Sequence, residues 1–370
     1  MSRAAGQAAA RASRRPSMAD VAAVAGVSHQ TVSRVLNEHP SVRGETRERV
    51  LDAIATLGYR RNSAARALAT ARSATLGVVT TGSALFGPTS TLIAIEGAAR
   101  DQGYFVSVAT LRRYDAEAMH EALEHFMDQD VEAIVVIAPQ DDVAAAVESF
   151  RAPVPVLVVA ALERLPRDVS TTAAGPTTLS LAVDQRGGAR AITDHLLDLG
   201  HRDVLHVAGP QDWFDARERA AGWREALEAR GIVPSRPRLC TWSAEDGYAA
   251  GRDLAEAVVA QEGPTAVFAG NDQLALGMLR AFWERGLSVP DDVSVAGFDD
   301  VAGAAYFVPP LTTVRQPFGV LGERSVAMVV EALARQEAPG TAGTAGNEAA
   351  TERIVPELVV RSSTAPPPAR

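Results

Sequence analysis

Between Ser17 and Leu57 apolar residues recur every three or four positions, and after Thr75 they gather into short unbroken runs. The first pattern predicts helices and the second predicts buried strands. Val21, Val24 and Ala25 follow Ser17, a residue type suited to an N-cap, and Gly26 supplies a tight bend. Ser28 is placed to cap a second helix whose Val32, Val35 and Leu36 share one face. His29, Gln30, Thr31, Ser33 and Arg34 are left for the other. Residues 37–44 read as a loop, and Glu45 to Leu57 as a third helix with Val50, Ile54 and Leu57 turned inward.

A helix, a turn and a second helix with an outward polar set suit the major groove of DNA. There a bidentate amide or guanidinium distinguishes adenine from guanine, each good pair contributing about 1–3 kcal/mol, and short hydroxyls reach phosphates. An ordinary helical hairpin with a solvated face carries the same local pattern. Downstream, Asn62 can cap a short run, Ser63 to Ala69, that is alanine-rich yet too short to be a stable helix alone in water. It is expected to form only with support, and a plain linker is the other reading.

From Ala74 the rhythm changes. Strand-like runs at Thr75–Thr80, Phe105–Ala109, Ala133–Ile137 and Val154–Val159 alternate with helical segments at Thr91–Gln102, Ala116–Gln129 and Asp141–Phe150. The alternation resumes with strands at Val204–Ala208, Ala266–Ala269 and Val293–Gly297 and helices at Ala220–Arg230, Tyr248–Val259 and Asp272–Arg285. Such alternation predicts parallel sheets covered on both faces. Two units in succession predict a body of two doubly wound lobes, with a ligand cleft at the carboxyl ends of the strands.

Charge sharpens this division. Residues 1–73 hold 12 arginines against five acidic residues, a surplus of +7, which leaves −16 for the rest of a 370-residue chain whose net charge is −9. The basic segment is a nucleic-acid footprint. Residues 1–16, rich in Ala, Ser and Arg, read as a disordered arm. No apolar run approaches the ~20 residues of a membrane span, and the N-terminus carries no apolar signal core, so a cytoplasmic protein is expected. The single cysteine, Cys240, allows no internal disulfide and no cysteine-based zinc site. His120 and His125, five apart, lie roughly 140° from each other around a helix and do not form a metal pair. The chain has no lysine, which removes Walker-type, Schiff-base and kinase-like chemistry. No Gly-x-Ser-x-Gly elbow or Gly-x-Gly-x-x-Gly loop is present. The expectation is a protein that is not an enzyme, with no metal and no cofactor.

Asp20-Val21-Ala22, Ala25-Gly26-Val27-Ser28 and Thr31 to Asn37, continued by Thr46 to Val50 and Leu57-Gly58-Tyr59, resemble the headpiece of the lactose-repressor (LacI/GalR) family. The likeness resumes at Gly200-His201-Arg202, Ala208-Gly209-Pro210, Ala216-Arg217, Ala221-Gly222-Trp223, Asn271 to Gly277, Gly297 to Asp300 and Pro309 to Val314, which are similar to that family's periplasmic-binding-protein-like effector body. The resemblance implies a helix-turn-helix domain over 17–61, a hinge helix and linker over 62–73, and a body over 74–363. Lobe 1 would span about 74–200 and 317–342, and lobe 2 about 201–316 and 350–363. Residues 337–351 would form a flexible loop and 364–370 a disordered tail without leucine heptads, so a homodimer is expected rather than a tetramer.

By the same resemblance His29, Gln30 and Arg34 would read bases, and Ser28, Thr31, Ser33, Asn37 and Thr46 would steady the backbone. Asn62, Ala65 and the wedge Leu68 would engage the minor groove. Arg217, Asn271 and Asp299 match sugar-hydroxyl ligands, Trp242 a stacking ring, and Gln316 and Phe318 pocket-lining residues, with Thr81 facing the ligand from lobe 1. Phe86 and Gly187 replace a histidine and an aspartate of the pattern. The function implied is a sequence-specific repressor of operator DNA, controlled by a small sugar, a galactoside being the first candidate, and coupled to DNA through the hinge helix. The alternatives are a purine- or nucleoside-responsive regulator with corepressor logic and, more remotely, a solute-binding protein.

Overall fold

The computed structural model describes residues 16–37, 39–60, 72–81, 85–113, 115–137, 140, 145–147, 149–150, 152–160, 178–337 and 351–369. The chain divides into two compact units at Ser73/Ala74.

In the first unit three helices, α1 (Met18–Ala25), α2 (His29–Leu36) and α3 (Gly44–Leu57), enclose a small core. Ser17 and Asp20 form a reciprocal capping box at α1: Ser17 Oγ accepts from Asp20 N, and Ser17 N donates to Asp20 Oδ2 at 2.8 Å. Gly26 ends α1 in the left-handed region (φ 64°), a conformation that costs a side-chain-bearing residue and lets the chain reverse within one residue. Val21, Ala22, Ala25, Val32, Val35, Val50 and Ala53 form the core. Val24, which recurs at helical spacing with Val21 and Ala25, is nevertheless 56% exposed. A three-residue step from Val21 points to the edge of so narrow a helix face, and Ala22 takes the inner position.

The second unit contains two parallel sheets. The first has the order β11-β5-β4-β3-β1-β2, from β1 (Thr75–Thr81), β2 (Phe105–Leu111), β3 (Ala133–Ile137), β4 (Val156–Val159), β5 (Thr178–Val183) and β11 (Thr351–Ile354). β3 and β4 are apolar without interruption, and β1 is buried from Leu76 to Thr81, because helices cover both faces. On one side lies α5 (Ala116–Asp128), with Leu123 and Phe126 in the core. On the other lie α4 (Phe86–Asp101) and α10 (Phe318–Glu337), contributing Ile95, Ala99, Leu321 and Val329.

The second sheet runs β7-β6-β8-β9, from β6 (Val204–Ala208), β7 (Arg238–Leu239), β8 (Ala266–Ala269) and β9 (Ser294–Ala296); β10 (Thr313–Arg315) and β12 (Glu357–Val359) form a separate antiparallel pair. Its faces are covered by α6 (Gln185–Asp198) and α7 (Phe214–Ala229), and by α8 (Ala244–Val259) and α9 (Asp272–Glu284).

Three expectations are corrected. Residues 185–200, assigned to lobe 1, belong to lobe 2: Ala189, Ile192 and Leu196 of α6 pack with Trp223 and Phe268. The chain crosses as soon as β5 ends, whereas Gly200, where the resemblance put the boundary, merely follows α6. Residues 351–354, assigned to lobe 2, extend the first sheet beside β5, so the last crossover falls between β11 and β12. The tail from residue 364 is docked rather than disordered through Ala365. Ser363 is fully buried, its Oγ donating to Val295 O at 2.6 Å. Thr364 Oγ1 meets His195 Nε2 at 3.0 Å, and Ala365 O meets His201 Nε2 at 2.9 Å. These partners lie far away in sequence, which made the segment look like a solvated Ser/Thr/Pro tail.

The lobes are thus joined by three crossovers, at residues 183–185, 315–318 and 354–357. Among the described residues no helix is long and apolar enough to cross a membrane. The expected arm through residue 15, most of the 337–351 loop and half of the 141–150 helix lie outside the described residues.

Candidate functional site

The headpiece offers one polar surface. Ser28 caps α2, its Oγ accepting from Thr31 N at 3.2 Å and meeting Thr31 Oγ1 at 2.9 Å. Because Val32 and Val35 turn into the core, His29, Gln30 and Arg34 are exposed, and Thr31 and Ser33 are half-buried beside them. Asn37 ends the helix, exposed, and Thr46 is half-buried in the first turn of α3. The structure therefore brings these eight candidates onto α2 and the start of α3. Asn62, Ala65 and Leu68 lie outside the described residues.

In the second unit a cavity of about 430 Å³ opens between the lobes, where the carboxyl ends of β3, β4 and β5 in one sheet face those of β8 and β9 in the other. The first lobe presents an apolar wall that includes Leu85, Phe86, Ile137, Val159, Val183 and Leu321. The second presents Gln185, Trp213, Asp215, Arg219, Trp242 and Asn271, with Gln273, Asp299 and Gln316.

Of the expected ligand residues, Trp242, Asn271, Asp299, Gln316 and Phe318 line this cavity. Asn271 also caps α9, its Oδ1 accepting from Leu274 N at 2.8 Å, while Nδ2 donates to Trp242 O at 3.2 Å. Trp242 stands edge-on to Trp213, with ring centroids 5.8 Å apart. Its six-membered ring lies where any side chain at Gly209 would begin, 2.3 Å from a Cβ there, so glycine is required for the indole to reach the cavity. Phe318 meets Phe86 edge to face at 5.6 Å.

Arg217 and Thr81 are not brought to the cavity wall. Arg217 is half-buried, its Nη1 donates to Gln211 O at 2.9 Å, and its guanidinium lies over the Phe214 ring. The arginine in the wall is Arg219. It shares the buried stripe of α7 with Ala216, Ala220 and Trp223, spaced i, i+3, i+4 and i+7. That periodicity was the available signal, and Arg217 lies off it. Thr81 is buried at the end of β1, and the neighbouring Ser83 lies outside the described residues.

Arg219 organises the floor. Its Nε donates to Gln185 Oε1 at 2.8 Å, Nη1 to Gly270 O at 2.6 Å and Nη2 to Asp299 Oδ1 at 3.4 Å. The guanidinium also stacks 3.9 Å over Phe298. Gln185 Nε2 donates to Gln316 Oε1 at 2.8 Å, and Gln316 Nε2 to Asp299 Oδ1 at 2.7 Å, closing a ring of four buried side chains. Burial pushes the Asp299 carboxyl up to about 6 against the opposing pull of Arg219 and Gln316.

Asp299 (φ 111°) and Asp300 (φ 51°) hold left-handed backbone that is strained for residues with a side chain. Arg315 Nε and Arg361 Nη2, each 2.7 Å from Asp300, fix the turn. Asp272 anchors it from behind, accepting from Val301 N at 2.8 Å and Thr313 Oγ1 at 2.6 Å. Burial, reinforced by nearby Asp299, pushes its carboxyl up to about 8. Aromatic faces beside convergent amides and a carboxylate can bind a small polar ligand with an apolar side.

Comparison with known proteins identifies the family of both units. The profile described as bacterial regulatory proteins, lacI family, matches residues 17–62, and that of the periplasmic binding protein-like domain matches residues 193–364. The lactose operon repressor of Escherichia coli (strain K12) is 37% identical over 323 residues, covering 87% of this chain and 86% of that protein. The chain belongs to the LacI family. It is accordingly a DNA-binding transcriptional repressor of the LacI type. The HTH-type transcriptional repressor PurR of Mannheimia succiniciproducens is 31% identical over 348 residues, 93% of this chain and 97% of that one. A crystal structure of the lac repressor dimer bound to operator and the anti-inducer ONPF superposes with a TM-score of 0.79 at 34% identity, covering 95% of this chain and all of that one. Within the LacI-family scaffold, α2 is the second helix of the helix-turn-helix and the cavity lies in the periplasmic-binding-protein-like body.

Proposed function

We propose that this LacI-family repressor binds a pseudo-palindromic operator as a homodimer and releases it when a small sugar occupies the cavity. His29, Gln30 and Arg34 read bases in the major groove, while Ser28, Thr31, Ser33, Asn37 and Thr46 hold the backbone. The observation that carries the effector reading is the pairing of Trp242 and Trp213 with Asn271, Asp299 and Gln316 around one cavity. Aromatic faces take the apolar side of a sugar ring, and the amides and carboxylate take its hydroxyls. Arg217 and Thr81, off the wall in this structure, are not needed for that reading. A galactoside is the first candidate, in keeping with the lactose operon repressor among the relatives. Coupling to DNA runs through the hinge, with Asn62, Ala65 and Leu68 in the minor groove. The protein acts in the cytoplasm and by binding, not as an enzyme.

Phe86 and Phe318 at the apolar wall favour a second reading in which a purine lies against an aromatic ring face and acts as corepressor. Thermal unfolding against a panel of mono- and disaccharides and purines separates the two, since a ligand of the native state raises the midpoint. A sugar that shifts the midpoint and releases operator supports the first reading. A shift with purines alone moves the second to first place, and no shift with either class overturns the assignment of the cavity.

A further inference from the structure

Gln185 and Gln316 sit at two of the three crossovers between the lobes. Gln185 opens α6 directly after β5, and Gln316 lies between β10 and α10. Both are buried, 3% and 7% exposed, and both line the cavity. Their hydrogen bonds have a forced direction. Arginine only donates and an ionised carboxylate only accepts. With Arg219 Nε on Gln185 Oε1, the Gln185 amide nitrogen must donate onward to Gln316 Oε1, and the Gln316 amide nitrogen must then donate to Asp299 Oδ1. Neither amide can flip without leaving two donors or two acceptors facing each other in a buried place. Asp299 Oδ1 takes both the Gln316 and Arg219 bonds, and Oδ2 has no partner among the described residues.

The third crossover is held by residues adjacent in sequence to members of that ring. Asp184 N donates to Ile354 O at 2.8 Å, Pro356 packs against Gly188, Arg353 Nη1 lies 3.7 Å from Glu218, and Arg315 Nη1 lies 3.2 Å from Glu357. We propose that Gln185 and Gln316 are positioning residues that tie the cavity-facing carboxylate of Asp299 to all three crossovers, so that a ligand engaging Asp299 resets how firmly the lobes are held. The proposal deepens the effector reading and rests on it only in taking the cavity as the binding site. A ligand hydroxyl donating to the open Oδ2 draws charge from Oδ1 and weakens its bond from Gln316, and a loosened Gln316 weakens the hold on Gln185.

Amide hydrogen exchange on the full-length, ligand-free protein tests this. Gln185→Met and Gln316→Met keep side-chain volume and remove the hydrogen bonds. Each should speed exchange across residues 183–188, 314–318 and 353–357 together, with the Asp184 amide about tenfold faster. The double variant should exceed neither single one. Asp299→Leu, which removes the acceptor at the end of the chain, should loosen the same three segments. Exchange that rises only at the mutated crossover, effects that add in the double variant, or an unchanged 353–357 segment in Asp299→Leu overturns the proposal. If the methionine variants do not fold cooperatively, Gln185→Glu is read instead. It still accepts from Arg219 but cannot donate to Gln316, so exchange equal to wild type also overturns the proposal, and faster exchange at all three segments supports it. Because no ligand is present, these outcomes are independent of whether any sugar shifts the unfolding midpoint.

Discussion

In the headpiece the polar side chains with reading capacity are exposed and nearly consecutive on one helix, whereas in the cleft they are buried and come from strand ends and helix starts more than 100 residues apart. The difference sets what each polar group does for the fold. His29, Gln30 and Arg34 face solvent, so the headpiece core of Val21, Val32 and Val50 does not depend on them. Arg219, Gln185, Gln316 and Asp299 are part of the packed interior of their lobe, and each satisfies another. A surface site can therefore vary freely with its target, while a buried one changes stability whenever it changes specificity.

The contrast is broken most directly at Arg219. Arg219→Met leaves Gln185 Oε1 and the Gly270 carbonyl without this donor and Asp299 without its buried counter-charge, and should cost about 3–5 kcal/mol in chemical denaturation. Arg217→Met should cost about 1 kcal/mol or less, and Arg34→Ala nothing measurable. Comparable losses at Arg217 and Arg219 would mean that the wall position has been misjudged.

Next comes His206, fully buried, stacked 4.5 Å from Phe268 and bonded through Nδ1 to Phe268 O at 2.9 Å. Burial, the largest cause, lowers its pKa to about 4. The native state thus refuses a proton that the unfolded chain takes up below its ordinary value of 6.5. Stability contributed by neutral His206 is complete above 6.5 and falls by about 3 kcal/mol as the pH drops to 4. His206→Phe should remove that slope in unfolding titrations, and an unaltered slope would place the acid sensitivity elsewhere.

Gln30→Ala should weaken operator binding by about 1–3 kcal/mol while leaving the unfolding free energy unchanged. A matching loss of stability would contradict the separation of reading and folding in the headpiece. The smallest effect is expected at Val24, an apolar residue on the surface: Val24→Ser should alter stability by no more than about 0.5 kcal/mol.

Local signals made the headpiece legible in the sequence. Ser17 and Ser28 cap the helices that follow them, Gly26 turns the chain, and the apolar spacing of α2 alone implies which residues face outward. The strand runs Ala133–Ile137 and Ala266–Ala269 were equally readable, because a strand buried on both faces is apolar at nearly every position, and Val204–Ala208 departs only at the buried His206. Phe86 and Phe214 open their helices ahead of the positions that the apolar spacing indicates. Both follow apolar residues, Leu85 and Trp213, with no side-chain cap to announce them.

Sequence by itself determined the two-part organisation, the parallel α/β body and, through strand-end Asn271 and Asp299, the place of the cleft. Only the tertiary structure decided that Arg219 rather than Arg217 faces the cavity, that α6 belongs to the second lobe, and that Thr364 and Ala365 dock instead of trailing. The physical reason is common to all three. Helix and strand periodicity are set by neighbours a few residues away, whereas a buried polar group is placed by partners that only the fold brings to it, as Gln185 meets Gln316 and Thr364 meets His195.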